Sequence, residues 1–209
     1  MTNPRTLEYF YDFSSPYAYL AHQEAADVAT KHGATLVYRP FLLGGLFKQL
    51  GSSLVPINDA SVQKRAWLSR DLSRWAELRG LPYAWPDKFP MNTITALRVV
   101  LQLMGPEHTE AHARACAAIY QAYWGHGEDI SDPTVLLALL NGVGLDGQAL
   151  LEGTRDPAVK ALLFAATDEA HSRGAVGAPT FFVGDICFWG QDRFEMIGRA
   201  LDGWVPAKG

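Results

Sequence analysis

The sequence predicts an α/β protein in which a small sheet domain is interrupted by a large all-helical insertion. Three observations predict it. The chain opens with a strand–helix–strand pattern over residues 7–39, it closes with a β-hairpin and an amphipathic helix, and the stretch between them is mostly helical in pattern. On this division residues 1–40 and 176–209 form the sheet domain and residues 41–175 the insertion.

Residues 7–13, LEYFYDF, are rich in Tyr, Phe and Leu and read as a buried strand, with Asp12 interrupting the apolar run near its end. Ser14-Ser15-Pro16 is a helix start, because proline in the first turn loses no hydrogen bond. Tyr17, Leu20, Ala21, Ala25 and Val28 form one apolar stripe, and Gly33 marks the end of that helix. Residues 35–39 are a second strand, stopped by Pro40 and most simply parallel to the first. Gly44-Gly45, Gly51 and Ser52-Ser53 make residues 41–55 a loop with one short helix. Residues 58–80 carry helical spacing through Val62, Ala66, Leu68, Leu72, Trp75 and Ala76. Pro82, Pro86 and Pro90 make residues 81–91 a connection. Asn92 or Thr93 caps the next helix, residues 107–124 form another, Ser131-Asp132-Pro133 caps a short one ending at Asn141-Gly142, and Asp156-Pro157 opens one more. Thr180–Val183 and Ile186–Trp189 flank Gly184-Asp185 as a hairpin. Asp192, three residues before Glu195, reads as the cap of the final helix.

Composition narrows the function classes. The chain has 209 residues, 48% hydrophobic, with a net charge of −4, which argues against a general nucleic-acid binder. No stretch of about 18 apolar residues is present, and the N-terminus lacks the apolar core of a signal segment, so no membrane association and a cytoplasmic location are expected. Cys116 and Cys187 are the two cysteines, and neither belongs to a CxxC, so neither a disulfide framework nor a metal site is expected.

In an open α/β sheet, ligands bind beyond the carboxyl ends of the parallel strands. Ser14-Ser15 stands at that edge, and the residues around Gly177 and Pro179, with Gln191-Asp192, join it if the hairpin folds back. Each candidate has a plainer reading. Ser15 serves equally as a helix cap, Asn58 as a turn residue, and Asp192 as a cap alone. His108 and His112 lie four apart in HTEAH and are expected on a solvated helix face. Both cysteines are expected to be packed, as are Trp67, Trp75, Trp85, Trp124 and Trp189, with some aromatics left to line a pocket.

YDFSSPYAYL near the start, GAPTFFV before the hairpin and FWGQDRFEMI at the last helix resemble the 2-hydroxychromene-2-carboxylate isomerases. VPIND, RDLSRWAELRGLP and FPMNTITALR are similar to the same group, so the resemblance runs along nearly the whole chain. That family is related to the kappa-class glutathione transferases and to DsbA. The resemblance therefore implies an α/β thioredoxin-like fold with a large all-helical insertion, glutathione as cofactor and a homodimer. Ser15 takes the place of the first cysteine of a CPxC, and its hydroxyl is implied to hold the glutathione sulfur as thiolate. Asn58 is implied beside the reacting centre. Ala178, before a cis Pro179, is implied to pair with the cysteinyl backbone, and Gln191 and Asp192 to hold the γ-glutamyl group. The implied reaction converts 2-hydroxychromene-2-carboxylate, a small aromatic carboxylate from naphthalene-type catabolism, to trans-o-hydroxybenzylidenepyruvate. A kappa-like transferase or peroxidase acting on another electrophile is the alternative. Arg39, Lys48 and Arg65 are all available for the substrate carboxylate.

Overall fold

The computed structural model describes residues 5–207. Residues 1–4 and 208–209, the outermost residues of the expected sheet domain, lie outside the described residues. Among the described residues a four-stranded sheet has the order β2-β1-β3-β4. The strands are β1 (Thr6–Tyr11), β2 (Thr35–Pro40), β3 (Thr180–Val183) and β4 (Ile186–Trp189). β1 runs parallel to β2 with Tyr9 opposite Tyr38, and antiparallel to β3 with Tyr9 opposite Phe181. The hairpin closes at Gly184, which supplies the positive φ of 59° that the tight turn needs. The first and last parts of the chain thus complete one sheet.

The helices are α1 (Pro16–Lys31), α2 (Leu43–Gln49), α3 (Val62–Leu78), α4 (Ile94–Leu101), α5 (Thr109–Tyr120), α6 (Pro133–Gly142), α7 (Gly147–Gly153), α8 (Pro157–Ser172) and α9 (Phe194–Leu201). Those with local sequence signals start where their caps stand. Ser15, Asp132 and Asp156 each accept a backbone N–H with the side chain, and each precedes a proline. Ser61 caps α3, so that helix begins later than its apolar spacing implies, and residues 56–59 form a short 3₁₀ turn containing Asn58. α5 passes directly into a π-turn over Gln121–Gly125.

β1 is buried on both faces because helices cover both sides. Side chains alternate along a strand, so Tyr9 and Tyr11 share one face while Glu8 and Phe10 share the other. Tyr9 stacks on Phe181 at 5.1 Å, Phe181 meets Phe194 of α9, and Tyr11 bonds His112 of α5 at 2.9 Å. On the opposite face Phe10 meets Phe182, and the Arg173 guanidinium at the end of α8 lies 3.9 Å from the Phe182 ring. Glu8 pairs with both Arg173 and Arg39.

Four expectations are corrected. His112 is buried at 1% exposure instead of lying on a solvated face, because α5 turns that face onto Tyr11 and Tyr38. Cys187 is exposed on the edge strand β4, whereas Cys116 is buried as expected. Of the tryptophans expected in the core, only Trp124 is fully buried; Trp67, Trp85 and Trp189 are exposed. Asp192 does not cap α9: Arg193 occupies that position without a side-chain bond, and the Asp192 carboxylate turns to Arg193 Nε at 3.4 Å.

Candidate active site

The site is built where β1 hands over to α1. Asp12 follows the last residue of β1 and is buried. Its Oδ1 accepts from Ser14 N–H at 3.0 Å and Thr93 Oγ1 at 2.7 Å, and its Oδ2 accepts from Leu43 N–H at 2.8 Å. Burial pushes its carboxyl up, against the pull of the Ser14, Leu43 and Thr93 donors. The Asp12 carbonyl accepts from Ser15 N–H at 3.1 Å. One buried carboxylate thereby joins the ends of β1, α2 and α4 and fixes the residues ahead of Ser15.

Ser15 is buried and has extended backbone, as an N-cap requires. Its Oγ accepts from Ala18 N–H at 3.2 Å and donates to the Ala178 carbonyl at 2.7 Å. Pro16 has no N–H, and Ala18 N–H is taken by Ser15. Tyr17 is left as the first-turn residue whose N–H has no acceptor among the described residues. A free amide at the positive end of a 16-residue helix favours an anion. Sequence reasoning passed over Tyr17 because its side chain carries no signal of a backbone role.

Ser15 and Ala178 are therefore brought together, and the Ala178–Pro179 peptide is cis. Gly190 N–H donates to the Pro179 carbonyl at 3.1 Å, which draws Gln191 and Asp192 to the same edge. Gln191 is buried, and its Oε1 has no hydrogen-bond partner, an acceptor that a ligand donor would satisfy. Asp192 is partly exposed beside it. Asn58 is not joined to this group: it is exposed on its 3₁₀ turn, and its carbonyl accepts from Arg65 Nη1 at 3.3 Å.

An aromatic wall lies against the same corner. Trp124 Nε1 donates to the Phe13 carbonyl at 2.8 Å, and its indole meets Tyr83, Trp85 and Phe89. Tyr19 Oη donates to the Pro82 carbonyl, which ties the proline-rich connection to α1. Two clefts lie elsewhere among the described residues, one of about 320 Å³ between α1 and α3 and one of about 200 Å³ beside β2, and Ser15 lines neither.

The model of the DsbA-like thioredoxin domain matches residues 6–202. This chain belongs to the DsbA-like thioredoxin family. Within it, the chain is 33% identical to a 2-hydroxychromene-2-carboxylate isomerase from Sphingobium xenophagum, over 94% of this chain and 98% of that protein. It is 28% identical to the human glutathione S-transferase kappa 1, over 95% of this chain and 91% of that one. A solved 2-hydroxychromene-2-carboxylate isomerase superposes with a TM-score of 0.81 at 27% identity, covering 94% of each chain.

Unlike a DsbA-like oxidoreductase, this member places no thiol at the start of α1, where SPYA stands. Cys116 lies against Tyr11 Oη at 3.0 Å in the core, and burial pushes its thiol up to about 12. Partial burial raises the Cys187 thiol too, against the pull of Arg173, on the edge strand β4. Disulfide exchange needs an accessible thiolate on the protein, and neither cysteine provides one beside Ser15.

Proposed function

We propose that this chain is a glutathione-dependent isomerase that converts 2-hydroxychromene-2-carboxylate to trans-o-hydroxybenzylidenepyruvate. The observation that carries the reading is Ser15. It sets a hydroxyl, with no cysteine, at the N-terminus of α1 and against Ala178 in a chain alike along its length to a named isomerase.

The residues fit glutathione. Ser15 Oγ and Tyr17 N–H would face its sulfur, the Ala178 backbone its cysteinyl unit, and Gln191 with Asp192 its γ-glutamyl group. Bound glutathione would supply a thiolate nucleophile for reversible addition to the conjugated carbons, with the hemiketal C–O bond opening to phenol and ketone so that the former double bond is free to rotate before the same thiolate is expelled. The chain's own part is to hold that sulfur as an anion. A free thiol titrates near about 8.5, and both a hydroxyl donor and a helix N-terminus lower it. To donate to sulfur, the Ser15 hydroxyl turns away from the Ala178 carbonyl, so ligand binding exchanges one hydrogen bond for another. Asn58 is part of the same reading through the family resemblance alone, since its turn is exposed and no contact among the described residues joins it to Ser15. Trp85, exposed where it packs on the buried Trp124, offers a flat apolar face for an aromatic substrate.

For the substrate carboxylate, Arg39 is committed to Glu8 at 2.7 Å, and Arg65 donates to the Asn58 and Ala60 carbonyls. Lys48, in the last turn of α2, has no ion-pair partner among the described residues and is assigned that role. A cytoplasmic homodimer serving aromatic catabolism belongs to the same proposal and is supported by family resemblance.

The test is an absorbance assay with 2-hydroxychromene-2-carboxylate, with and without glutathione. Conversion that depends on glutathione is expected. Binding of glutathione without conversion favours the kappa-like transferase reading, which the 28% likeness to the human enzyme supports. No binding removes both.

A further inference from the structure

The segment between β4 and α9 carries Gln191 and Asp192 but has little regular structure to hold it. At Gln191 the backbone carbonyl accepts from Arg79 Nη2 at 2.8 Å. Arg79 terminates α3, and its Nη1 donates to the Leu20 carbonyl of α1 at 2.8 Å. The same guanidinium reaches Glu24 Oε2 at 2.6 Å and lies 4.9 Å from the Trp75 ring and 5.9 Å from the Phe194 ring. Its side chain is 12% exposed. A planar group with five donors thus ties together three segments distant in sequence: the end of α3, the helix headed by Ser15, and the loop before α9.

The geometry points to Arg79 as a positioning residue for the γ-glutamyl end of glutathione, setting Gln191 and Asp192 at a fixed distance from the helix that carries Ser15. The inference rests on the glutathione reading above. Glutathione has to be gripped at its thiol and at its γ-glutamyl group together, so the register between the two grips decides how much binding energy is realised. The Gln191 Oε1 is sealed without a partner, so its aim depends on the backbone that Arg79 holds. The Asp192 carboxylate attracts the Arg79 guanidinium, which adds to the hold on the loop. Lysine cannot reproduce the arrangement, because one ammonium does not span the Leu20 and Gln191 carbonyls in the plane of a fork.

The test compares glutathione with cysteinylglycine, which keeps the thiol and lacks the γ-glutamyl group. Calorimetric binding and kcat/KM are measured for both thiols on the wild type, Arg79→Met, Arg79→Lys and Glu24→Gln. Arg79→Met is expected to weaken glutathione by about tenfold or more while leaving cysteinylglycine within about twofold. The loss should fall on KM for glutathione and not on kcat, with Arg79→Lys between the two. If Arg79→Met does not fold, Glu24→Gln loosens the guanidinium without removing it. It should show the same selectivity at about threefold. Equal losses for both thiols, or no loss, overturn the positioning role and leave glutathione binding intact. Failure of the wild type to bind glutathione overturns both.

Discussion

Ser15 has two bonds to satisfy in the fold before any ligand arrives. Its Oγ caps α1 through Ala18 N–H and holds the Ala178 carbonyl. Ser15→Ala should therefore cost about 1–2 kcal/mol in urea unfolding, as the loss of a cap and a buried bond. It should also return the bound glutathione thiol toward about 8.5, read from thiolate absorbance against pH, and lower turnover by about a hundredfold. An unchanged thiol titration would leave the hydroxyl only its structural role. Lys48→Met should raise KM for the carboxylate substrate about tenfold with little change in stability, since Lys48 holds no ion pair among the described residues. A KM equal to wild type would reassign the carboxylate. Ser15 was legible in the sequence because capping is local: Ser-Pro announces it. The choice of Lys48 over Arg39 was not, because it depends on Glu8, 31 residues away, reaching Arg39 across the sheet.

At the scale of elements, the site depends on how strand and helix ends are tied. Asp12 accepts three donors, from Ser14, Thr93 and Leu43, and so joins β1, α4 and α2. Asn at this position keeps one acceptor oxygen but turns an NH₂ toward a donor. Asp12→Asn should cost about 2 kcal/mol and disturb the approach to Ser15, seen as a lower urea midpoint and weaker glutathione binding. A variant as stable as wild type would show that the three ends are held by packing. The sequence showed Asp12 only as a break in an apolar run, since its partners lie far along the chain. The same contrast runs through the helices. α1, α6 and α8 carry a cap and a proline and were readable from both. α7 is short, with Asp146 capping a Gly-rich turn, and was passed over. Asp192-x-x-Glu195 has capping-box spacing, yet the turn at Gly190, with φ of 116°, starts the helix one residue later.

At the scale of the whole molecule, the sheet's helix-covered face encloses two imidazoles among tyrosines. His22 lies 5.8 Å from the Tyr38 ring and 5.4 Å from Tyr120, with Nδ1 sealed and unpartnered. His112 stacks on Tyr38 at 4.5 Å and bonds Tyr11. Burial lowers both from 6.5 to about 4, with His112 adding to the effect on His22 and the Val100 and Leu103 carbonyls opposing it on His112. The sign follows from which state binds more protons. Below 6.5 the unfolded chain takes up protons that the fold refuses, so the stability from neutral imidazoles is full above pH 6.5 and is lost as pH falls toward 4. Asp12, with its pKa raised, works the other way and gains as it protonates. Glu8 is lowered: burial pushes it up, but Arg173 and Arg39 together prevail, and its contribution is lost only in stronger acid. Between neutral pH and pH 4 the two imidazoles lose stability while Asp12 opposes them, so the two groups leave a net sensitivity to acid. His22→Phe removes one titrating ring and one unsatisfied nitrogen while keeping the tilted ring contacts with Tyr38 and Tyr120. It should raise stability at pH 5 by about 1–2 kcal/mol and flatten the fall of stability between pH 6.5 and pH 4. Unfolding midpoints measured from pH 7 to pH 4 check both, and an unchanged slope would place the acid response outside this aromatic layer.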